Sequence, residues 1–244
     1  MKVAFLGATR GMGRALVRLL AARGDEVFLL GHEPEDLERS ARDLEVRCGG
    51  QVATAACDLA DPATFAPALD AAVKHLGGLD AVIVTAAIYD TQENLEQDPA
   101  AVVRLLSINF THTVAFCEEA RKRLLAGGGG TLCVFSSVAG DRGRKPVAIY
   151  GAGKAGLTCY LEALDHKFRA DGLNTLTVKP GFVKTGMTAG LKPPPFAGEP
   201  EAVAAQVLRA IDRGKPLIYA PPIWRWIMLV IRWLPRFVMR RIGF

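Results

Sequence analysis

Short apolar runs rich in β-branched residues alternate with amphipathic segments along most of the chain. The apolar runs predict seven strands, near residues 3–6, 27–30, 52–56, 81–85, 132–135, 175–178 and 217–219. Segments of helical periodicity lie between them, near residues 12–23, 35–46, 62–75, 98–126, 148–171 and 199–213. This alternation predicts right-handed βαβ crossovers and a doubly wound parallel α/β sheet of about seven strands, with helices on both faces.

Two stretches interrupt the alternation. Residues 181–198 contain three consecutive prolines and no periodicity, and a loop of this length inside a compact domain is usually functional, so we expect a lid. Residues 222–244 form a basic tail with an amphipathic helix predicted over 223–242, which Pro235 should bend or interrupt. The chain is therefore expected to comprise one domain, residues 1–221, and a helical tail, residues 222–244.

The charge of the chain is concentrated in this tail. Half of the 244 residues are apolar and the net charge is +5, but no acidic residue follows Asp212, whereas seven basic residues do, five of them in the tail. The first 212 residues are net −2, which argues against a protein-wide nucleic-acid surface and favours a local basic partner site.

The tail also holds all three tryptophans, a residue type that prefers the headgroup zone of a membrane. Its longest charge-free run, residues 226–231, is far shorter than the ~20 residues needed to span a bilayer. We therefore expect peripheral membrane contact through residues 223–242. The alternative is that this helix docks on the body of the protein or on a partner subunit.

The cysteines indicate a reducing compartment. Their number is odd and no CxxC pair occurs, which is typical of packing residues rather than of disulfides or a metal site. The first predicted strand starts at Lys2, so no signal peptide is expected. The predicted location is cytoplasmic, with a peripheral position at the inner face of the cytoplasmic membrane. The five cysteines are Cys48, Cys57, Cys117, Cys133 and Cys159.

A glycine-rich turn, G-A-T-R-G-M-G at residues 7–13, joins the first strand to the first helix. Such glycines let the main chain approach a pyrophosphate, and the N–H groups that begin the helix face the phosphates. The spacing is GxxxGxG rather than GxGxxG, so a plain glycine-rich turn is the alternative interpretation. The position between a strand and a helix favours a dinucleotide site.

The end of the second strand bears on which dinucleotide is bound. A carboxylate there would bind the ribose 2′-hydroxyl and repel a 2′-phosphate, but the chain has Gly31 and His32. Together with Arg10, His32 favours NADP(H). Asp58, just after the third strand, is a candidate partner of the adenine amino group; the alternative is a solvated N-cap near Pro62.

A phenol and an ammonium group lie one helical turn apart at Tyr150 and Lys154, in Y-G-A-G-K. Ser137 precedes Tyr150 by 13 residues, and Asn109 precedes Ser137 by 28. The motif P-G-F-V-K-T, residues 180–185, follows the sixth strand. In this order and spacing the motifs resemble the short-chain dehydrogenase/reductase family across nearly the whole chain, which implies a Rossmann-type fold and an NAD(P)(H)-dependent oxidoreductase.

The resemblance implies catalytic roles for Asn109, Ser137, Tyr150 and Lys154 in hydride transfer to a ketone. Tyr150 would protonate the developing alkoxide, Lys154 would lower the pKa of that phenol and hold the ribose, and Ser137 would polarise the carbonyl. Asn109 would hold a water that relays protons to Lys154, and Ser136 would pack or hydrogen-bond behind Ser137. Contacts with NADP(H) are expected at Gly7, Thr9, Arg10, Gly11, Met12, Gly13, His32, Asp58, Leu59, Ala86, Tyr150, Lys154, Pro180, Gly181, Val183 and Thr185.

Two positions depart from the family pattern. V-T-A-A stands at residues 84–87 where the family usually has N-N-A-G, and Leu6 stands where a threonine usually precedes the first glycine. Both positions concern the geometry of the nucleotide loop rather than the reaction.

The substrate is indicated less directly. Residues 136–157, 179–192 and 213–241 resemble reductases of decaprenylphosphoryl-2-keto-pentose, a lipid-linked keto-sugar. Arg142, Arg144 and Lys145 would suit a phosphate-bearing substrate, or form a solvated basic loop. The alternatives are a 3-ketosphingoid, 3-oxoacyl or soluble ketone reductase, and a membrane-tethered NADP(H) sensor or scaffold. The family also implies a homo-oligomer formed through the helices at 98–126 and 148–171.

Overall fold

The computed structural model describes residues 1–190 and 192–242, so one residue of the expected lid and the last two residues of the expected tail lie outside it. Seven parallel strands form one sheet in the order β3-β2-β1-β4-β5-β6-β7. All seven predicted strands are confirmed. Their bounds are β1 Lys2–Leu6, β2 Glu26–Gly31, β3 Ala53–Ala56, β4 Ala81–Val84, β5 Gly130–Phe135, β6 Leu173–Pro180 and β7 Leu217–Ala220.

Helices cover both faces of the sheet, as expected. Side chains alternate along each strand, so Val3 and Phe5 face one layer of core while Ala4 and Leu6 face the other. The first layer contains α1 Gly11–Ala22, α2 Pro34–Cys48 and α8 Pro200–Asp212, and the second contains α3 Phe65–Leu76, α6 Thr113–Ala126 and α7 Ala148–Phe168. Burial on both faces explains why the strands are continuous apolar runs.

The helix predicted over 98–126 is interrupted. It consists of α5 Pro99–Leu106, a π-helical turn Ser107–His112, and α6. A short helix that the periodicity did not predict, α4 Gln92–Gln97, precedes it. Among the described residues, Pro99–Ala126 is the one helical stretch long and apolar enough to cross a membrane, and it packs Phe116 and Leu124 in the core of this domain.

The predicted helical tail is present as two helices, α9 Ile223–Trp233 and α10 Arg236–Arg241, and Pro235 separates them as expected. The helical spacing of the tail arginines predicts one basic stripe, but Arg225 and Arg232 lie on α9 whereas Arg236 and Arg240 lie on α10. One face of α9 is buried on the body through Trp224, Met228 and Ile231. The opposite face is exposed.

The five cysteines are free thiols, and three of them are buried in the core, as predicted. Among the described residues no cluster of side chains could hold a metal ion.

Candidate functional site

Because all strands are parallel, the predicted site residues meet at the carboxyl edge of the sheet. The glycine turn leaves β1 with Gly7 and Gly11 at positive φ. A Cβ built on Gly13 would lie only 2.1 Å from the Gly7 carbonyl oxygen, so the start of α1 rests directly on the turn. The cradle is open to a phosphate on its outer side because no side chain fills it.

Although residues 84–87 and Leu6 depart from the family pattern, the glycine turn is still supported, and Thr85 provides that support. Its hydroxyl donates a hydrogen bond of 2.8 Å to the Gly7 carbonyl, and the main chain of Ala86 lies beside Gly7. The side chain directly after β4 thus ties the end of that strand to the glycine turn. The sequence analysis missed this contact because it joins residues 78 positions apart.

Carboxylates lie beside Arg10 at the end of β2, where the sequence predicted only positive charge. No carboxylate is present at Gly31, but α2 brings Glu33 and Asp36 to Arg10, at 2.9 and 2.7 Å. The hydrogen bond from Arg10 lowers the pKa of Asp36. His32 lies 3.3 Å from Glu33. A 2′-phosphate at this position would therefore compete with two carboxylates for Arg10.

The other predicted nucleotide contacts are placed at the same edge. Asp58 accepts a hydrogen bond from the Ala60 amide at 2.8 Å, whereas the N-cap before Pro62 is Asp61. The alternative role that we considered for Asp58 therefore belongs to its neighbour. Leu59 is buried, and Met12 is half-buried against the core.

Tyr150 and Lys154 lie on one face of α7 beside the end of β5. The Lys154 ammonium is buried and donates to the Phe135 carbonyl at 3.0 Å, and it lies 5.8 Å from the centre of the Tyr150 ring. Burial lowers the pKa of Lys154 to about 8. Burial also raises the pKa of Tyr150 to about 12, and a hydrogen bond with Ser137 opposes that rise.

Ser137 stands at the turn that follows β5, where its hydroxyl accepts from the Ala139 amide at 3.1 Å. Ser136 points to the other side, and its hydroxyl donates to the Lys154 carbonyl at 3.0 Å. The prediction that Ser136 supports the site from behind is confirmed. Gln92, which was not predicted, accepts from the Ile149 amide at 3.1 Å and fixes the start of α7.

Asn109 sits in the π-helical turn and is buried. Its amide group forms two hydrogen bonds with the main chain of Ile88, at 2.9 and 2.7 Å. The residue after Ile88 is Tyr89, whose ring packs edge-on against Tyr150 at 5.4 Å. Asn109 therefore holds the loop after β4 against the phenol. Sequence reasoning found Asn109 but not Tyr89, which has no distinguishing pattern.

The loop after β6 closes the opposite side of the site. Pro180 ends the strand, Val183 is buried and pairs with Gly198, and the Thr185 side chain faces Gly11 of the glycine turn. This loop begins and ends against α9, through Trp224.

The basic loop before α7 has a structural use. Arg142 donates to the Leu234 carbonyl at 2.9 Å, and Lys145 donates to the Arg240 carbonyl at 2.8 Å. Cations at helix C-termini are stabilising, so these two side chains hold α9 and α10 in place. The two open interpretations, a phosphate-bearing substrate or a solvated loop, both missed this role.

Comparisons with known proteins agree with this arrangement. Residues 2–195 match the short chain dehydrogenase family. An uncharacterized oxidoreductase of Mycobacterium tuberculosis is 32% identical over 239 residues, which cover 98% of this chain and 96% of the relative. The human 3-oxoacyl-[acyl-carrier-protein] reductase is 28% identical over 189 residues, 78% of each chain.

The fold is also shared with solved structures. A short-chain dehydrogenase from Sphingobium yanoikuyae superposes with a TM-score of 0.82 at 22% identity, covering 94% of this chain and 92% of that one. The family match spans the glycine turn, Ser137, Tyr150 and Lys154. The chain therefore belongs to the short-chain dehydrogenase/reductase family and is an NAD(P)-dependent oxidoreductase acting on CH–OH groups.

Proposed function

We propose that this protein is an NADPH-dependent reductase that converts a hydrophobic or lipid-linked ketone to a secondary alcohol. The observation that carries the proposal is the grouping of Ser137, Tyr150 and Lys154 at the carboxyl edge of the sheet, with the Lys154 ammonium buried and 5.8 Å from the centre of the Tyr150 ring. Residues 1–221 form the catalytic domain in this proposal, and residues 222–244 form the tail.

The bound nicotinamide supplies a hydride to the carbonyl carbon of the substrate. Ser137 donates a hydrogen bond to the carbonyl oxygen, and Tyr150 gives its proton to that oxygen as negative charge develops. Burial raises the pKa of Tyr150 to about 12 in the ligand-free protein, so the phenol carries its proton at neutral pH. The charge of Lys154 favours the phenolate that is left after transfer.

The fit of the cofactor is supported by the glycine cradle and by Lys154. An ammonium group has three donors, and one of them is used by Phe135, so Lys154 can also hold the ribose hydroxyls. Pro180, Gly181, Val183 and Thr185 would contact the nicotinamide. Asn109 would hold a proton-relaying water, in addition to fixing Ile88.

NADPH is proposed over NADH because Arg10 and His32 flank the position of the 2′-phosphate and Gly31 carries no charge. The structure from Sphingobium yanoikuyae is a complex with NADPH, which supports the same choice. Glu33 and Asp36 now hold Arg10, so binding of the 2′-phosphate would draw Arg10 partly away from them.

A hydrophobic substrate is proposed because Val138, the residue after Ser137, belongs to a buried apolar cluster with α9, and because the tail carries an exposed apolar face. The lipid-linked keto-sugar remains the preferred substrate class. A 3-oxoacyl substrate is the second candidate, since the human relative is a 3-oxoacyl-[acyl-carrier-protein] reductase. We propose a cytoplasmic homo-oligomer in peripheral contact with the inner membrane face.

The test is NADPH oxidation by the full-length protein with a panel of ketones in detergent, comparing wild type with Tyr150→Phe. The variant should lose at least ~10²-fold in rate, because it lacks the general acid, while its NADPH affinity stays within threefold. If Tyr150→Phe kept a tenth of the wild-type rate, Tyr150 would not be the general acid of the reaction. If the biological activity survived in Tyr150→Phe, the sensor interpretation would replace the reductase.

A further inference from the structure

We propose that the tail helix α9 forms a wall of the substrate site and that Trp224 on it determines which ketones are accepted. This inference rests on the proposed reductase function. It assigns to the tail a second role besides contact with a membrane.

Trp224 lies directly on the loop that follows β6. A Cβ built on Gly181 would be 2.0 Å from the Cε2 and Nε1 atoms of Trp224, so the indole occupies the space that any other residue at 181 would need. The Gly181 amide donates to the Ala220 carbonyl at 3.0 Å. Gly181 is thus held from two sides, by β7 and by the tail.

The same indole also contacts the far end of that loop. Phe196 packs edge-on against Trp224, with the ring centres 5.2 Å apart. Phe182 packs beside them. Because Trp224 touches both ends of the loop, its position determines how closely the loop can approach the site.

The other buried residues of α9 pack with Trp224 against the turn that follows Ser137. Trp224, Met228 and Ile231 form one buried cluster with Val138, and Val138 is the residue next to Ser137. The wall therefore lies one residue from the hydroxyl that would bind the carbonyl. Phe182, Tyr219 and Ile227 pack against the same cluster, and an apolar wall suits a ketone with hydrocarbon groups.

Polar contacts fasten this wall to the catalytic segment. Arg142 and Lys145 hold the tail from the loop between Ser137 and Tyr150. Asp141 in the same segment pairs with Lys179 at 2.5 Å and accepts from the Tyr219 hydroxyl at 2.8 Å. Arg142 and Lys145 thus join the tail to the segment between Ser137 and Tyr150, and Asp141 joins that segment to β6 and β7.

Trp224→Ala tests the inference, with Trp224→Phe as the conservative variant and Trp233→Ala as the control. Among the described residues the Trp224 indole N–H has no hydrogen-bond partner, so phenylalanine keeps an aromatic wall and loses no bond. Trp233 lies on the same helix but is 81% exposed. The full-length protein is used in every case.

We expect Trp224→Ala to raise the KM of small ketones at least tenfold, with kcat within threefold, and to leave the KM of bulky ketones within threefold. The kcat/KM ratio of bulky to small ketones should then rise at least tenfold. Trp224→Phe should stay within threefold of wild type in this ratio, and Trp233→Ala within twofold. An unchanged ratio in Trp224→Ala, or an equal change in Trp233→Ala, would overturn the proposal.

Hydrogen exchange provides a second readout that needs no turnover. NADPH should protect the amides of residues 182–190 in wild type and in Trp233→Ala, and this protection should fall at least tenfold in Trp224→Ala. Protection retained in Trp224→Ala would show that the wall does not position the loop. If wild type reduced no ketone, the proposed function would fail. Hydrogen exchange would still test whether Trp224 positions the loop after β6.

Discussion

The Lys154 ammonium lies in the interior with 2% of its surface exposed, and burial of the charge lowers its pKa to about 8. A group in this environment destabilises the ligand-free fold, because the unfolded chain keeps the charge hydrated. In the proposed function this position serves the chemistry, since the same ammonium would hold the ribose and favour the Tyr150 phenolate. The sequence indicated the residue through its spacing from Tyr150, but the spacing says nothing of the burial.

Replacing Lys154 with methionine should raise the free energy of unfolding at pH 7 by about 1–2 kcal/mol. This is the free energy that corresponds to the lowered pKa, minus the contribution of the hydrogen bond to Phe135 that the variant loses. Between the folded-state pKa of about 8 and the ordinary value of 10.5, the unfolded wild-type chain binds more protons. Wild-type stability therefore rises with pH in this window. The advantage of the variant should be complete below pH 8 and reverse before pH 10.5, because wild type gains about 3 kcal/mol of stability across this window.

Urea unfolding of the ligand-free proteins at pH 7 and pH 10 measures this difference, with Lys74→Met, an exposed position on α3, as the control. The Lys154 variant should also bind NADPH more weakly and lose turnover. A variant less stable than wild type at pH 7 would contradict the reasoning.

The second prediction at the residue scale concerns Gly31 and the preference for NADPH over NADH. Gly31→Asp should reverse the NADPH preference, because the new carboxylate repels the 2′-phosphate and accepts from the 2′-hydroxyl of NADH. We expect wild type to prefer NADPH at least tenfold, about 1.4 kcal/mol. Calorimetric titration with both cofactors measures the ratio.

Gly31→Ala is the matched control, since any added Cβ would lie 3.2 Å from the Leu37 side chain and alanine brings no charge. The preference should persist in this variant. Equal affinity of the wild type for NADPH and NADH would show that Glu33 and Asp36 neutralise Arg10.

At the scale of elements, the sequence predicted the glycine turn but not the interruption of the helix at residues 107–112. The strand–turn–helix order of the glycine turn was predicted from local pattern alone, since tight turns and apolar runs are local properties. The π-helical turn at Asn109 was not predicted. Its geometry depends on the pairing of Asn109 with Ile88, which lies 21 positions away.

Gly13→Ala should weaken NADPH binding at least tenfold and lower stability by about 1–3 kcal/mol. The added Cβ would meet the Gly7 carbonyl oxygen at 2.1 Å and the Thr85 hydroxyl at 2.6 Å, so the turn must move away from the helix. Thermal unfolding and NADPH titration measure both effects. Gly143→Ala is the control and should change neither property, because a Cβ there would meet no atom within 4 Å. If Gly13→Ala were equally harmless, the helix would not approach the Gly7 carbonyl as closely as the structure shows.

At the scale of the whole molecule, the tail has two faces with different partners. One face is buried on the body through Trp224, Met228 and Ile231. The other exposes 62% of Trp226 and 81% of Trp233, together with Val230 and Phe237. Exposed basic residues surround this apolar face, on a chain whose first 212 residues are net −2. An anionic lipid surface would complement both the charge and the apolar area.

Wild type should therefore float with anionic vesicles at low salt and be released at high salt. Trp226→Ser with Trp233→Ser, and separately Arg225→Gln with Arg232→Gln, should each weaken vesicle binding at least tenfold, at about 1 kcal/mol per arginine near the surface. NADPH affinity should not change. Removing residues 223–244 is a poorer test, because it also uncovers Val138 and Phe182.

Arg42→Gln with Arg104→Gln removes two exposed charges elsewhere and serves as the control. If wild type stayed with the soluble fraction at low salt, the exposed face of the tail would instead be a contact between subunits.

The sequence by itself determined the seven strands and the main helices between them, the glycine turn, the Tyr150–Lys154 pair and the break at Pro235. These are local properties, because periodicity, turn residues and helical spacing act over a few residues. Only the tertiary structure decided the ion pairs of Arg10, the support of Gly7 by Thr85, the contact of Tyr89 with Tyr150, and the packing of Trp224 on Gly181. Each of these joins residues far apart in the chain, and such contacts exist only once the strands are aligned side by side and their carboxyl ends brought to one edge.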